Sequence, residues 1–127
     1  MIRILSAVVL ACALLVPASG CAKAPPNLTP AATHAFYGTQ LIKDADRLRD
    51  VAVAAHATVP PLLSAPETLA VVQWHKAALI TIHNAPAGWK STVLTGLDET
   101  LKNFSPKARE TLSPYVGLVR AILQEIP

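Results

Sequence analysis

The run LAVVQWHKAALITIHN, Leu69 to Asn84, decides how this chain is read. At about 100° per residue, Ala70, Val71, Val72, Trp74, Ala78, Leu79 and Ile82 share a wide apolar arc, and Gln73, Lys76, His83 and Asn84 take the remainder. A membrane-crossing helix needs about 20 consecutive apolar residues. This run is shorter and carries Gln73, His75, Lys76 and His83, so it reads as a buried helix rather than a span. An arc that wide suits a helix touched by more than one neighbour, which predicts the central helix of a bundle. Its start is marked by Ser64-Ala65-Pro66-Glu67, a capping box in which Ser and Glu satisfy the first open amides. Pro86 and Gly88 mark its end.

Working toward the N-terminus, Thr29-Pro30 is a second helix start, because Thr caps and Pro fits the first helical position. The helix runs to Val59, where Pro60-Pro61 stops it. Tyr37, Leu41, Ala45, Leu48, Ala52 and Ala55 recur on one stripe. Lys43, Asp46, Arg47, Arg49 and Asp50 are assigned to a solvated face, with Asp46 spaced to pair with Lys43 or Arg49, and Arg47 with Asp50.

Working toward the C-terminus, Trp89, Val93, Leu97, Leu101 and Phe104 line a third helix, with Asp98, Glu99 and Lys102 facing away. Ser105-Pro106 and Ser113-Pro114 each repeat the cap-then-proline signal, so the fourth helix is expected to break at Ser113-Pro114. Tyr115, Val119, Ile122 and Ile126 form its stripe. Strand signals are poor: Val71-Val72 and Val93-Leu94-Thr95 lie in no alternating run bounded by turns. The expected fold is all-α, a small helical bundle of three to four helices over residues 30–127.

The first residues are an address rather than part of that body. Arg3 is followed by an apolar run from Ile4 to Val16 and then by Pro17-Ala18-Ser19-Gly20-Cys21, the three-part pattern of a secretory signal peptide over residues 1–20. Ala18-Ser19-Gly20-Cys21 resembles a bacterial lipobox, although Ala18 stands where leucine is commonest. The resemblance covers residues 1–21 and implies cleavage between Gly20 and Cys21, with a diacylglycerol thioether on Cys21 and further acylation of the new amine, palmitate among the chains used. Two other readings stay open at this point: ordinary cleavage after Gly20 or Ala24, giving a secreted or periplasmic soluble product, and a lipobox at Val9-Leu10-Ala11-Cys12. Cys21 is favoured because no thiol follows it. The proline-rich stretch after it makes residues 21–29 a lipidated cysteine and flexible tether. The expected location is the cell envelope, on the periplasmic face of the outer membrane where the host has two membranes, since Ala22 is not the aspartate that signals inner-membrane retention.

Composition narrows the functions. The chain has 127 residues, enough for one domain, with 11 Lys and Arg against 8 Asp and Glu. The basic residues form no cluster, so no nucleic-acid partner is expected. Without cysteines after Cys21, the body holds no disulfide framework, thiolate metal site or cysteine nucleophile. Serine-nucleophile, zinc-protease and phosphate-loop motifs are missing as well, and Asp98 and Glu99 point about 100° apart on their helix. No catalytic residues are assigned and the chain is read as no enzyme.

Four histidines remain, His34, His56, His75 and His83. His75 falls in the middle of the apolar arc; His83 is turned from it by about 80°, too far for a chelating pair. With Trp74 beside it, His75 is the candidate ligand or buried polar site, and its plain reading is a core histidine bonded to a neighbouring helix. No metal site and no cofactor are assigned. Trp74 and Trp89 follow helical spacing as core residues, Trp89 beside Gly88 being the more exposed expectation. The functional expectation is a lipid-anchored envelope module that binds the membrane through Cys21 and acts by contact with an envelope protein. The alternative is a bundle holding haem, a metal or a small apolar molecule through His75.

Overall fold

The computed structural model describes residues 23–127; the signal run, Gly20, Cys21 and the Cys12 alternative lie outside the described residues. Four helices follow one another: α1 (Pro30–His56), α2 (Ala65–Asn84), α3 (Trp89–Leu101) and α4 (Pro106–Glu125). Among the described residues there is no strand, and no helix is long and apolar enough to cross a membrane. The protein is a small all-α bundle.

Three of the four described helices begin where a short polar side chain meets proline, whereas α3 starts after Gly88 with no side-chain cap. The Thr29 hydroxyl accepts from the Ala32 amide, Ser64 from Glu67, and Ser105 from Ala108, with proline in the first turn each time. These caps satisfy amides that an α-helix leaves open at its start. At α2 the box is complete, because Glu67 Oε1 accepts from the Ser64 amide at 2.9 Å.

The helices run alternately up and down. α1 packs on both α4 and α2, α2 packs also on α3, and α3 meets α4 only slightly, so the ring of helices is open between the last two. The expectation that Leu69–Asn84 is the central helix needs correction. α1 buries eight residues, among them Leu41, Ala45, Leu48, Ala52 and Ala55 with no exposed surface, whereas α2 buries Val71, Trp74, His75 and Ala78. The wide arc of α2 does meet two helices, α1 and α3, while Leu69 (56% exposed) and Ile80 (60%) stand on the other side of the helix, among its polar residues, and reach solvent. The small side chains of α1 explain its place: alanines at 45, 52 and 55 let two neighbours approach closely.

Two boundaries also differ. α1 ends at His56, where the Thr58 hydroxyl donates to Ala55 O at 2.7 Å and accepts from the Leu62 amide at 3.1 Å, turning the chain early so that Leu63 plugs the core. α4 does not break at Ser113-Pro114; it runs continuously with Pro114 inside it. An interior proline costs a helix about 3 kcal/mol through the lost amide and ring clash. Leu112, Tyr115, Val116 and Val119 are buried on both sides of Pro114, and burial of such side chains is worth roughly 1.5–3 kcal/mol each, enough to hold one axis. Pro114 itself is exposed, where water can take up the freed carbonyl.

Candidate functional site

His75 is buried, at 5% exposure, and its Nε2 lies 2.6 Å from Asp46 Oδ1 on α1. The imidazole therefore ties α2 to α1 across the interface, as a core histidine bonded to a neighbouring helix would. The partner is a residue that spacing had assigned to the solvated face, and Asp46 makes this contact instead of pairing with Lys43 or Arg49. The remaining charges also re-pair: Arg49 binds the adjacent Asp50 at 2.9 Å and Arg47 reaches Asp44 at 3.8 Å. A carboxylate on one ring nitrogen is also how metal-binding imidazoles are oriented. Among the described residues, however, no group of three His, Cys, Asp or Glu side chains gathers around an ion-sized site.

Trp74 fastens the other flank of α2. Its ring is buried and its indole N–H donates to Val93 O on α3 at 3.2 Å. Gly96, one turn on, lies against the indole, and a Cβ there would make an ordinary contact with it, 3.5 Å from Trp74 Cδ1. Trp74 and His75 thus clamp neighbouring helices on opposite flanks of α2 and share no cavity. Trp89, expected to be exposed, is buried at 9% because the α2–α3 turn lays it against His34 on α1, ring centroids 6.1 Å apart and nearly perpendicular. His34, His56 and His83 are exposed, and His56 Nδ1 meets Leu63 O at 2.9 Å.

The buried charge that sequence reasoning missed is Asp44. It is 1% exposed, with Gln40 Nε2 at 3.5 Å and Arg47 at 3.8 Å, while its Oδ2 has no hydrogen-bond partner among the described residues. Loss of water raises its pKa above the ordinary carboxylate value, against the opposing pull of Arg47 and Gln40. Tyr115, fully buried on α4, has its phenol pushed up by the same desolvation, with Arg47 pulling the other way. The signal was in the spacing: Asp44 stands three residues after Leu41 and four before Leu48, on the apolar stripe itself.

Hollows open on the surface of the described residues. Where α3 and α4 part, a cleft of about 240 Å³ is lined by Lys90, Leu94, Arg120 and Leu123. Its cations already have partners, Lys90 Nζ donating to Ile126 O at 2.8 Å and Arg120 to Asp98. A shallow trough of about 470 Å³ lies along the start of α1 between Leu28, Phe36 and Lys43. Neither hollow includes His75 or Trp74.

Among the described residues before α1, Ala24 is held to the bundle. The Ala24 amide donates to the Tyr37 hydroxyl at 3.2 Å, and Ala24 packs, partly buried, on the core. Comparison with family models, with curated proteins and with solved structures finds no match for this chain.

Proposed function

We propose that this protein is a lipid-anchored helical module of the cell envelope, held to the membrane by acyl chains on Cys21 and acting by contact with an envelope protein. The observation that carries the reading is Ala18-Ser19-Gly20-Cys21 at the end of the apolar run, with every later position free of cysteine. Small residues before the cysteine fit a signal peptidase, and only its sulfur can form the thioether. On this reading the domain is non-catalytic, and in a host with two membranes it sits on the periplasmic face of the outer one.

The experiment is intact-mass analysis of the protein from the membrane fraction. A mature chain beginning at Cys21 and carrying diacylglycerol, lost in Cys21→Ser, is the expected result. A soluble, unacylated product beginning at Cys21 or Pro25 overturns it. A ligand held through His75 has less support, because that ring is already bonded to Asp46 and lies outside both hollows. Purified protein should show no visible absorption band and no stoichiometric metal; either one, lost in His75→Ala, would replace the contact reading with a ligand-binding one.

A further inference from the structure

We infer that one end of the bundle, formed by the start of α1, the α2–α3 turn and the end of α4, is a docking face for an anionic phospholipid surface. The inference rests on acylation of Cys21 and adds to it the orientation of the domain.

The first argument is reach. A free tether over residues 21–29 would let the bundle stand about 30 Å from the membrane, at roughly 3.3–3.6 Å per extended residue. Ala24 is instead bonded to Tyr37 and packed on the core, which leaves three residues from Cys21 to the point of attachment. Three residues span at most about 11 Å. Ala24, against Tyr37 about two turns into α1, must therefore lie within about that distance of the anchored sulfur. Alternating helix directions place the other pieces at the same end: Lys90 at the start of α3 meets Ile126 after α4, and Trp89 meets His34.

The second argument is charge, and it is independent of the tether. No Asp or Glu occurs before Asp44, and none from Thr68 to Leu97, so α1, α2 and α3 each bring an acid-free half to this end. Glu125 is the one Asp or Glu among the elements that form it, against Lys23 and Lys90, and His34 and His83 on the same elements are exposed. Asp50, Glu67, Glu99 and Glu110 all lie toward the opposite end, where Arg49, Lys102, Lys107 and Arg109 balance them. The turn Ala85-Pro86-Ala87-Gly88 is exposed and uncharged, so it can approach headgroups without repulsion. A lysine near an anionic leaflet is worth about 1 kcal/mol. Two would not hold a free domain there, but an anchor raises the local concentration enough for weak contacts to set orientation.

The chain after Cys21 lacks thiols, so single cysteines report on accessibility. Acylated full-length protein carrying Ala87→Cys or Asn103→Cys, at opposite turns, is placed in vesicles of phosphatidylcholine with phosphatidylglycerol, or of phosphatidylcholine alone. A membrane-impermeant maleimide should label Ala87→Cys on the order of tenfold more slowly on the anionic vesicles, from the energy of about one to two lysines. Labelling of Asn103→Cys should not change, and the protection should vanish with Lys23→Glu or near 1 M salt, where the Debye length is about 3 Å. Equal labelling at both turns, or protection at Asn103→Cys, with Cys21 shown by mass to be acylated, overturns the docking face alone. An unacylated Cys21 overturns the anchor, and the docking face with it.

Discussion

Glu67 Oε2 accepts the backbone amide of Ser105 at 2.9 Å, across 38 residues of sequence. Its other oxygen closes the capping box with Ser64, so one carboxylate serves the starts of both α2 and α4. The capping box was legible from Ser64 and Glu67 alone; the second bond was not, since it depends on how the bundle brings two helix ends together.

Loss of that carboxylate should cost more than an ordinary cap. Glu67→Ala is expected to destabilise the protein by about 1–2 kcal/mol, the upper part of the range for a cap residue. Glu67→Gln, which keeps one acceptor, should cost roughly half as much. Desolvation pushes the Glu67 pKa up, but its bonds to Ser64 and Ser105 outweigh this and leave it below the ordinary 4.5. A lowered folded-state pKa gives stability that is present above the ordinary value and is lost as pH falls through the folded one. Chemical denaturation of the wild type and Glu67→Ala at pH 7 and at pH 3 should therefore show the gap narrowing in acid.

Asp44 runs the other way. Burial raises its pKa, with Arg47 and Gln40 only partly opposing, so its stabilising state is present below the ordinary value of 3.8 and is lost as pH rises through the folded value. At pH 7 the charged form is a cost. Asp44→Asn keeps the shape and removes the charge, and should raise stability on the order of 1 kcal/mol, seen as a higher melting temperature. The gain should shrink as pH falls through the raised folded value and level off below 3.8. Equal or lower stability at pH 7 would mean that the Arg47 contact outweighs the burial.

These two acids show what a one-dimensional pattern carries. Tyr37, Leu41, Ala45, Leu48, Ala52 and Ala55 mark the buried stripe of α1 because helical geometry repeats, and the structure buries all six. Spacing assigns Lys43, Asp46, Arg47, Arg49 and Asp50 to one solvated face and leaves Asp44 unassigned, yet Asp44 turns inward and Asp46 reaches across to His75. Pattern identifies a face; which charge finds a partner depends on the helix opposite. Pro114 misled for a related reason, because a local breaker signal was outweighed by packing on both of its sides. The site residues divide similarly: the burial of His75 was legible from its place in the arc, while its partner required the second helix.

The His75–Asp46 contact should be measurable as a coupling. His75→Ala removes a buried ring and is expected to cost about 2–3 kcal/mol from lost packing and the lost bond. Asp46→Ala should cost less, since its side chain is 42% exposed and keeps access to water. A double-mutant cycle should return a coupling of about 1 kcal/mol between them. A value near zero would show that His75 is held by packing alone.

The α2–α3 turn offers the last test. Ala85 sits in the left-handed region at φ 41°, ψ 51°, with its amide bonded to Thr81 O at 2.8 Å, so the backbone there closes the end of α2 in the manner usually left to glycine. A side chain in that region costs roughly 1–2 kcal/mol, whereas glycine adds about 0.5–1 kcal/mol of unfolded-state freedom. Ala85→Gly should therefore stabilise by about 0.5 kcal/mol, a rise of roughly 2–4 °C in melting temperature for a domain of this size. Gly88, at φ 75°, occupies the same region three residues on, and a Cβ there meets nothing within 4 Å. Gly88→Ala should accordingly destabilise by about 1 kcal/mol from backbone strain alone. Opposite signs at these two positions would establish that the turn is set by backbone conformation. Losses at both would mean that the Ala85 methyl makes a contact worth more than its strain.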